Sequence, residues 1–135
     1  MSFVVDCSVT MAWCFEDERT PETDALLARV VETGAFAPAI WPLEVCNVLL
    51  GAARRKRIPA DAISQVAQRI AALPIVVDTE GVELAWSNTL QLAERYGLTS
   101  YDACYLELAQ RKALPLATLD MALRKAAGAA GMTLG

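Results

Sequence analysis

Histidine is missing from this sequence of 135 residues. Imidazole is the side chain that most often transfers protons in enzymes near neutral pH, so its absence excludes mechanisms built on a histidine general acid or base. The same absence excludes mixed cysteine–histidine zinc sites. A catalytic centre in this chain must therefore use other groups, and a metal-activated water is one that needs no histidine.

Cysteine pairs with metal-binding spacing are also missing. The four cysteines are Cys7, Cys14, Cys46 and Cys104. They lie in apolar segments without a CxxC motif, and we predict that they are small buried hydrophobic residues. Cys46 and Cys104 each follow an acidic residue by two positions, which is roughly 200° around a helix at about 100° per residue. We therefore expect these two thiols to face away from the carboxylates.

Three further absences limit the class of protein. No apolar run is long enough to cross a bilayer, and no basic segment precedes the first apolar residues. Positive charge is not in excess, since 16 acidic side chains against 12 Lys and Arg give a net charge of −4. With 55% hydrophobic residues, the chain predicts one folded domain over residues 1–135, in the cytoplasm and without a membrane segment.

Short apolar strands alternate with helical patterns along the chain. The predicted strands are 3–5, 36–37, 75–77 and 116–117, with a further edge strand at 133–134. The predicted helices lie within 7–15, 20–34, 42–57, 60–73 and 79–97, followed by a helix that Ser100 caps and by one at 121–130. This alternation predicts a three-layer α/β/α sandwich around a mostly parallel sheet of four or five strands.

Four acidic residues stand at the edges of these elements. We refer to Asp6, Glu44, Asp102 and Asp120 as the acidic quartet. Asp6 and Asp120 follow predicted strands, whereas Glu44 and Asp102 lie in the first turns of predicted helices. Parallel sheets bind ligands beyond the carboxyl ends of their strands, where these side chains would meet. Clustered carboxylates repel one another unless protons or a cation relieve them, so the quartet predicts a metal site.

Each acid also has a purely structural explanation. An acid in a first turn favours the partial positive charge of a helix N-terminus, and an aspartate after a strand can cap the next helix. The occurrence of all four together favours a site. Asn47 adds to this because it stands three residues after Glu44 on the same face of an otherwise apolar helix. A bound ion with its waters would supply partners for this polar stripe.

Four segments of the sequence carry a resemblance to a known family. They are VVDCSV (4–9), WPLEVCNVL (41–49), TSYDACYL (99–106) and LATLD (116–120). In this order and spacing they closely resemble the PIN-domain ribonucleases, and in particular the VapC toxins of bacterial toxin–antitoxin pairs. The resemblance spans nearly the whole chain.

This resemblance implies an activity and a set of site residues. The acidic quartet matches the family's four acids that hold Mg²⁺ or Mn²⁺, with Asp6 and Asp102 as the principal protein ligands. Ser8, Asn47 and Thr118 match the polar residues that support these acids. The implied activity is metal-dependent endonucleolytic cleavage of RNA, which leaves 5′-phosphate and 3′-hydroxyl ends. Oxygen-only donors agree with this expectation, because Mg²⁺ and Mn²⁺ prefer them.

The resemblance also implies partners and leaves the number of metals open. The expected partners are an RNA substrate, a second copy of the chain in a homodimer, and a VapB-like antitoxin that covers the site. As a hypothesis, Glu44 and Asp120 position a water or a second ion. Met121 and Ala122 stand where some members carry a further acid, so one and two metal ions are both compatible with the sequence.

The densest group of positive charges is a run of four residues. We name Arg54, Arg55, Lys56 and Arg57 the basic segment. It could contact RNA phosphates, and it could equally be the solvated end of a helix, where cations favour the dipole. The negative net charge does not exclude RNA binding, because 16 acids less the four of the quartet leave 12 against 12 Lys and Arg.

Two other functions use a similar framework. A receiver-like signalling domain also combines a parallel sheet with an acidic magnesium pocket, and Asp78 could be its phosphoacceptor. Such a domain needs a pair of acids after its first strand, whereas Asp6 stands alone. A non-catalytic PIN-like scaffold is the third possibility, but such proteins usually lose acids that are all present here.

Overall fold

The computed structural model describes residues 2–134, in which four parallel strands are surrounded by seven α-helices. The strands are β1 (Val4–Val5), β2 (Ala35–Pro38), β3 (Ile75–Asp78) and β4 (Leu116–Ala117). The helices are α1 (Cys7–Cys14), α2 (Pro21–Thr33), α3 (Trp41–Arg54), α4 (Ile63–Ala71), α5 (Asn88–Tyr96), α6 (Ser100–Lys112) and α7 (Met121–Ala129). Short 3₁₀ helices cover Glu16–Glu18, Ala60–Ala62 and Glu80–Trp86. Within residues 2–134, every helix is too short or too polar for a membrane crossing.

The sheet has the strand order β3-β2-β1-β4, and all neighbouring strands are parallel. The chain moves across the sheet from β1 to β3 and then returns to the opposite side at β4. Because parallel crossovers are right-handed, this reversal places α1 to α4 on one face and α5 and α6 on the other. Helix contacts agree, since α1 packs on α2 and α3, whereas α6 packs on α5 and α7. The predicted three-layer α/β/α fold is confirmed.

The hydrophobic core lies on both faces of the short central strand. Val4 and Val5 of β1 are fully buried, as a strand covered by helices on each side requires. From α6, Leu106 and Leu108 are also fully buried. The sheet is therefore anchored at β1, which places the residue after this strand at a fixed position on the rim.

Three predicted helices differ from the observed ones. The helix predicted to reach Arg57 ends at Arg54, because the chain turns at Arg55 and Lys56 takes a left-handed φ of 60°. The helix predicted over 60–73 begins as a 3₁₀ turn, and only its part from 63 onward is α-helical. The helix predicted over 79–97 is divided at Ser87, whose φ of −126° and ψ of −88° are not helical.

Two end signals also differ from prediction. Thr99, rather than Ser100, is the N-cap of α6, because its extended backbone lets its hydroxyl accept the N–H of Asp102 at 3.1 Å. The predicted edge strand near the C-terminus is reduced to a single parallel bridge between Leu116 and Thr133.

Candidate active site

Asp6, the first residue after β1, is the most buried member of the acidic quartet, with 5% exposure. Its Oδ1 accepts the Ser8 hydroxyl at 2.7 Å and the Val9 N–H at 3.1 Å, and its Oδ2 accepts the Thr118 hydroxyl. A carboxylate offers about four acceptor positions, so these three bonds leave about one, on Oδ2, for a further ligand. Burial raises the pKa of Asp6 above its ordinary value, and the charge of Asp102 raises it further, whereas the three hydrogen bonds lower it.

Ser8 and Thr118 also tie the rim of the sheet together. The Ser8 hydroxyl oxygen accepts the N–H of Leu119 at 2.9 Å, and the Thr118 hydroxyl oxygen accepts the N–H of Asp120 at 3.0 Å. These bonds join the end of β1 to the loop after β4. This is the point where the strand order reverses, which is the position at which open parallel sheets bind ligands. The support that the family resemblance implies for these two residues is thus matched by direct contact with Asp6.

Glu44 lies in the first turn of α3 and is half-buried. Its Oε1 accepts a short hydrogen bond from the hydroxyl of Tyr105, which is itself 1% exposed. Burial raises the pKa of Glu44, and the charges of Asp102 and Asp6 add to this effect, whereas the Tyr105 bond lowers it. Sequence reasoning did not identify Tyr105 as a site residue. The available signal was its spacing, since it stands three residues after Asp102 on the same helix.

Asp102 and Asp120 approach the site from two helix N-termini. Asp102 lies in the first turn of α6, and its pKa is raised by burial and by the charge of Asp120, with a hydrogen bond to Thr99 opposing both. Asp120 is exposed and caps α7, where its Oδ2 accepts the N–H of Leu123 at 2.9 Å. One oxygen of Asp120 therefore serves the helix, which leaves the other for the site.

The fold brings the acidic quartet together as one electrostatic unit. The charge of Asp102 raises the pKa values of Asp6 and Glu44, and the charge of Asp120 raises that of Asp102. Across residues 2–134, no three acidic or cysteine side chains are placed so that together they could hold an ion directly. The donor chemistry nevertheless fits Mg²⁺ or Mn²⁺, because these ions keep several waters and bind through one or two carboxylates. Burial is the main cause of these raised pKa values, and a cation would offset the repulsion that adds to it. The assignment of the quartet as metal ligands stays a prediction.

Asn47 is not connected to the acids. Its side chain is exposed on α3, and no hydrogen bond in the described part of the chain joins it to a member of the quartet. The spacing of three residues places Asn47 and Glu44 on neighbouring positions of the helix. Glu44 turns toward Tyr105 instead, because the buried hydroxyl needs an acceptor.

The basic segment divides into two parts. Arg57 donates to Asp17 Oδ1 at 2.7 Å and to Glu18 Oε2 at 2.8 Å, and its guanidinium lies 3.9 Å from the centroid of the Phe15 ring. It therefore holds the 3₁₀ helix that follows α1. The other three cations, at positions 54–56, are exposed at the end of α3. They remain available for phosphate contacts, as predicted for the whole segment.

The cysteine predictions are partly wrong. Cys46 is exposed on α3, and the other three thiols are only partly buried. The Cys104 thiol donates to the carbonyl of Tyr101 at 2.8 Å, and burial, followed by the charges of Glu44 and Asp102, raises its pKa to about 12. Such a thiol stays protonated at neutral pH and is a poor nucleophile, which agrees with the expectation that the cysteines take no part in the chemistry.

Asp78, the alternative phosphoacceptor, is occupied by a different interaction. Arg111 donates to its Oδ1 at 3.0 Å and to its Oδ2 at 2.6 Å, and Oδ2 also accepts the N–H of Gly81 at 2.9 Å. These bonds hold the pKa of Asp78 below its ordinary value. Asp78 also ends the edge strand β3, two strands away from β1. The receiver-like alternative therefore fails on both the position and the bonding of this residue.

Comparisons with known proteins agree with this arrangement. Residues 3–129 match the PIN domain family. Ribonuclease VapC3 of Pyrobaculum aerophilum is 28% identical over 123 residues, which cover 91% of this chain and 92% of that protein. The crystal structure of PAE2754 from P. aerophilum has a TM-score of 0.69 at 22% identity, covers 93% of this chain and 84% of that one, and shows the shared fold.

The family match covers nearly all the described residues and includes every element that carries a member of the acidic quartet. It confirms the resemblance inferred from the four sequence segments. It also overturns the receiver-like alternative, which belongs to a different fold family. The chain belongs to the PIN-domain family.

Proposed function

We propose that this protein is an endoribonuclease that uses Mg²⁺ or Mn²⁺ at the acidic quartet. The observation that carries the proposal is the convergence of the four acids where the strand order reverses between β1 and β4, with three of their pKa values raised. Raised pKa values in a group of neighbouring carboxylates are typical of functional sites. The similarity to Ribonuclease VapC3 supports RNA as the substrate.

Each acid has a distinct part in this proposal. When bound, the divalent cation supplies a Lewis acid that polarises the scissile phosphate and makes water more acidic. Asp6, with about one acceptor position left on Oδ2, and Asp102 would hold the cation. The Oε2 of Glu44 takes no part in the Tyr105 bond, and its raised pKa makes Glu44 a stronger base. We therefore assign Glu44 and Asp120 the role of orienting the attacking water.

Hydroxyl groups keep this arrangement in place without taking part in proton transfer. The hydroxyls of Thr118 and Ser8 donate hydrogen bonds to Asp6, and the hydroxyl of Tyr105 donates one to Glu44. The pKa of Tyr105 is raised far above its ordinary range by burial and by Glu44, so this hydroxyl acts only as a donor. The carboxylate oxygens that face away from these donors are then the ones available to the cation and to water.

A cleavage assay on total RNA tests the proposal. Asp6→Asn keeps an oxygen for the Ser8 and Val9 bonds but removes a charge, so we expect a folded protein with activity lowered about 100-fold or more, since metal-held charge stabilisation contributes several kcal/mol. Asp61→Asn, at an exposed acid on the 3₁₀ helix before α4, is the matched control and should keep full activity. Wild-type activity should disappear with EDTA.

Three results would contradict this proposal. Asp6→Asn that cleaves RNA as well as wild type would remove the quartet from the mechanism. Cleavage that persists in EDTA would remove the divalent ion. A folded wild-type protein that cleaves no RNA with either Mg²⁺ or Mn²⁺ would favour the non-catalytic scaffold instead.

We also propose that the protein acts in the cytoplasm as the toxin of a toxin–antitoxin pair, as a homodimer that a VapB-like antitoxin inhibits. The VapC3 name of the relative supports this role. Leu43 and Leu50 stand seven positions apart on one face of α3 and are 72% and 40% exposed. A protein that covers this apolar face would also reach Glu44, which is next to Leu43. Sedimentation that shows only monomer at micromolar concentration would contradict the homodimer. A product of the neighbouring gene that neither binds this protein nor inhibits its cleavage of RNA would contradict the toxin–antitoxin pair.

A further inference from the structure

A concavity near the acidic quartet has no part in the proposed chemistry. It has a volume of about 240 Å³. Its walls come from the segment after β2, from the 3₁₀ helix at 80–86, from α5 and from the N-terminus of α6. The principal lining residues are Pro38, Ile40, Val82, Ala85, Thr89 and Tyr101. We refer to this concavity as the rim pocket.

Two residues of the rim pocket are bonded directly to members of the quartet. Tyr101 directly precedes Asp102 in α6. Ile40 also lines the pocket, and its carbonyl accepts the N–H of Glu44 at 3.0 Å. Two of the four acids are thus attached to the walls of the pocket, so a strand of RNA whose phosphate lies at the quartet would have an adjoining nucleotide at the pocket.

The charged side chains at the rim pocket are already paired with one another. Asp78 and Glu107 line it, but Arg111 donates to both carboxylates at 2.6–3.0 Å. Arg111 is therefore committed as well, and the pocket offers no free cation for a phosphate and no free carboxylate for a metal. A neutral group is the ligand that this lining favours.

The remaining lining selects a flat ligand with a polar edge. Val82 and Ala85 provide apolar walls, and the Tyr101 ring is 60% exposed at the opening. Thr89 is 2% exposed, and among the described residues its hydroxyl has no hydrogen-bond partner. A buried hydroxyl without a partner is rare and points to a missing one. The volume lies just below the range of about 300–1,000 Å³ for drug-sized ligands, which fits a single ring system.

We propose that the rim pocket binds one nucleobase of the RNA next to the scissile phosphate and so determines the preferred cleavage site. The base stacks on Tyr101, and its polar edge supplies the partner that the Thr89 hydroxyl lacks, which requires this side chain to turn toward the pocket. This inference rests on the proposed ribonuclease function, because it is the phosphate at the quartet that brings the base to the pocket. Stacking of one base on an aromatic ring changes affinity by about 5- to 100-fold.

The test separates base binding from catalysis. Each of the four ribonucleosides is titrated into ¹⁵N-labelled protein without metal, and changes in the backbone amide chemical shifts are recorded by NMR. We expect shifts at Val82, Ala85 and Thr89, larger for one nucleoside than for the others. Val82→Trp fills the pocket without changing an acid, and it should abolish these shifts and lower cleavage at the preferred site about 5- to 100-fold. Val31→Trp is the matched control, because Val31 on α2 is 66% exposed against 61% for Val82.

A second variant tests the hydroxyl alone. Thr89→Val removes a hydroxyl that has no partner within residues 2–134, so the fold should be retained. We expect this variant to keep stacking but to lose discrimination among the four bases at the cleavage site. Unchanged discrimination would remove Thr89 from base recognition.

The remaining outcomes are each decisive. Absence of nucleoside shifts at the rim pocket, with site preference retained in Val82→Trp, would overturn the inference. Conversion of a dimer to a monomer by Val82→Trp, seen by sedimentation, would overturn it in favour of self-association at this face. Nucleoside shifts in a protein that cleaves no RNA would overturn the ribonuclease proposal and leave base binding in place.

Discussion

Thr118→Val tests how the acidic quartet is held together. Thr118 is 4% exposed, and its Oγ1 donates to Asp6 Oδ2 and accepts the N–H of Asp120 at 3.0 Å. Valine keeps the shape but removes both bonds. A hydrogen bond to a charged group contributes about 1.5–3 kcal/mol, and water can partly replace the partner of the Asp120 N–H. We therefore expect the free energy of unfolding to fall by about 2–4 kcal/mol at neutral pH.

This loss of stability should depend on pH, because one partner is a carboxylate. The Thr118 bond lowers the pKa of Asp6, against the larger effect of burial, so the substitution raises this pKa further. A carboxyl group with a folded pKa above its unfolded pKa costs stability once it ionises. The difference between variant and wild type should therefore grow as pH rises through the folded pKa values of Asp6. It should be smallest below the ordinary value of 3.8.

Denaturation in urea, followed by far-UV circular dichroism between acid and neutral pH, measures this difference. Thr10→Val is a matched control: Thr10 is fully buried, and its hydroxyl also donates one bond and accepts one, to the Asp6 carbonyl and from Trp41 Nε1. Neither partner titrates, so the loss in this control should be the same at every pH. Equal pH dependence in the two variants, or a loss below about 0.5 kcal/mol for Thr118→Val, would refute the reasoning.

Other substitutions test the neighbouring groups. Tyr105→Phe should lower stability by about 1–2 kcal/mol and shift the acidic limb of the pH–cleavage profile to higher pH, because the hydroxyl lowers the pKa of Glu44. Arg111→Met should lower the free energy of unfolding by about 3–5 kcal/mol at neutral pH, because it leaves Asp78 and Glu107 buried without a cation. The stability that ionised Asp78 contributes in the wild type is lost as pH falls through its lowered pKa. The variant and the wild type should therefore differ least in acid. Neutralising the first three cations of the basic segment should reduce the salt slope of RNA binding by about 2, at about 0.7 per phosphate contact.

Each of these predictions has a contradicting result. An unchanged acidic limb in Tyr105→Phe would show that Glu44 does not titrate in the cleavage reaction. A loss below about 1 kcal/mol for Arg111→Met would show that water replaces the cation at the two carboxylates. An unchanged salt slope would assign the basic segment to solubility rather than to RNA.

Features that depend on neighbouring residues were readable in the sequence. Val4 and Val5 form a buried strand because two apolar β-branched residues precede a polar one, and Asp6 then caps α1. Thr20 and Pro21 begin α2 as expected, and Gly34 ends it with a φ of 76° that other residues adopt less readily. The order of these elements predicts the parallel sheet, because short connections and right-handed crossovers leave few other arrangements.

Prediction from neighbouring residues failed where two adjacent residues could each cap a helix, or where residues distant in the sequence determine the local structure. Ser100 is the better cap by residue type, and only the extended backbone at the start of α6 selects Thr99. The basic segment reads as one helical run, but the left-handed turn at Lys56 and the acids at 17–18 remove Arg57 from it.

The sequence by itself determined the element order and the family and predicted the four site acids, because each of these depends on short-range patterns and motif spacing. The tertiary structure alone decided that Tyr105 donates to Glu44, that Thr118 joins Asp6 to Asp120, and that Thr89 lines a pocket near the quartet. The physical reason is that a buried polar atom takes its partner from whatever the packed chain places within about 3 Å, and 112 positions can separate such partners along the chain.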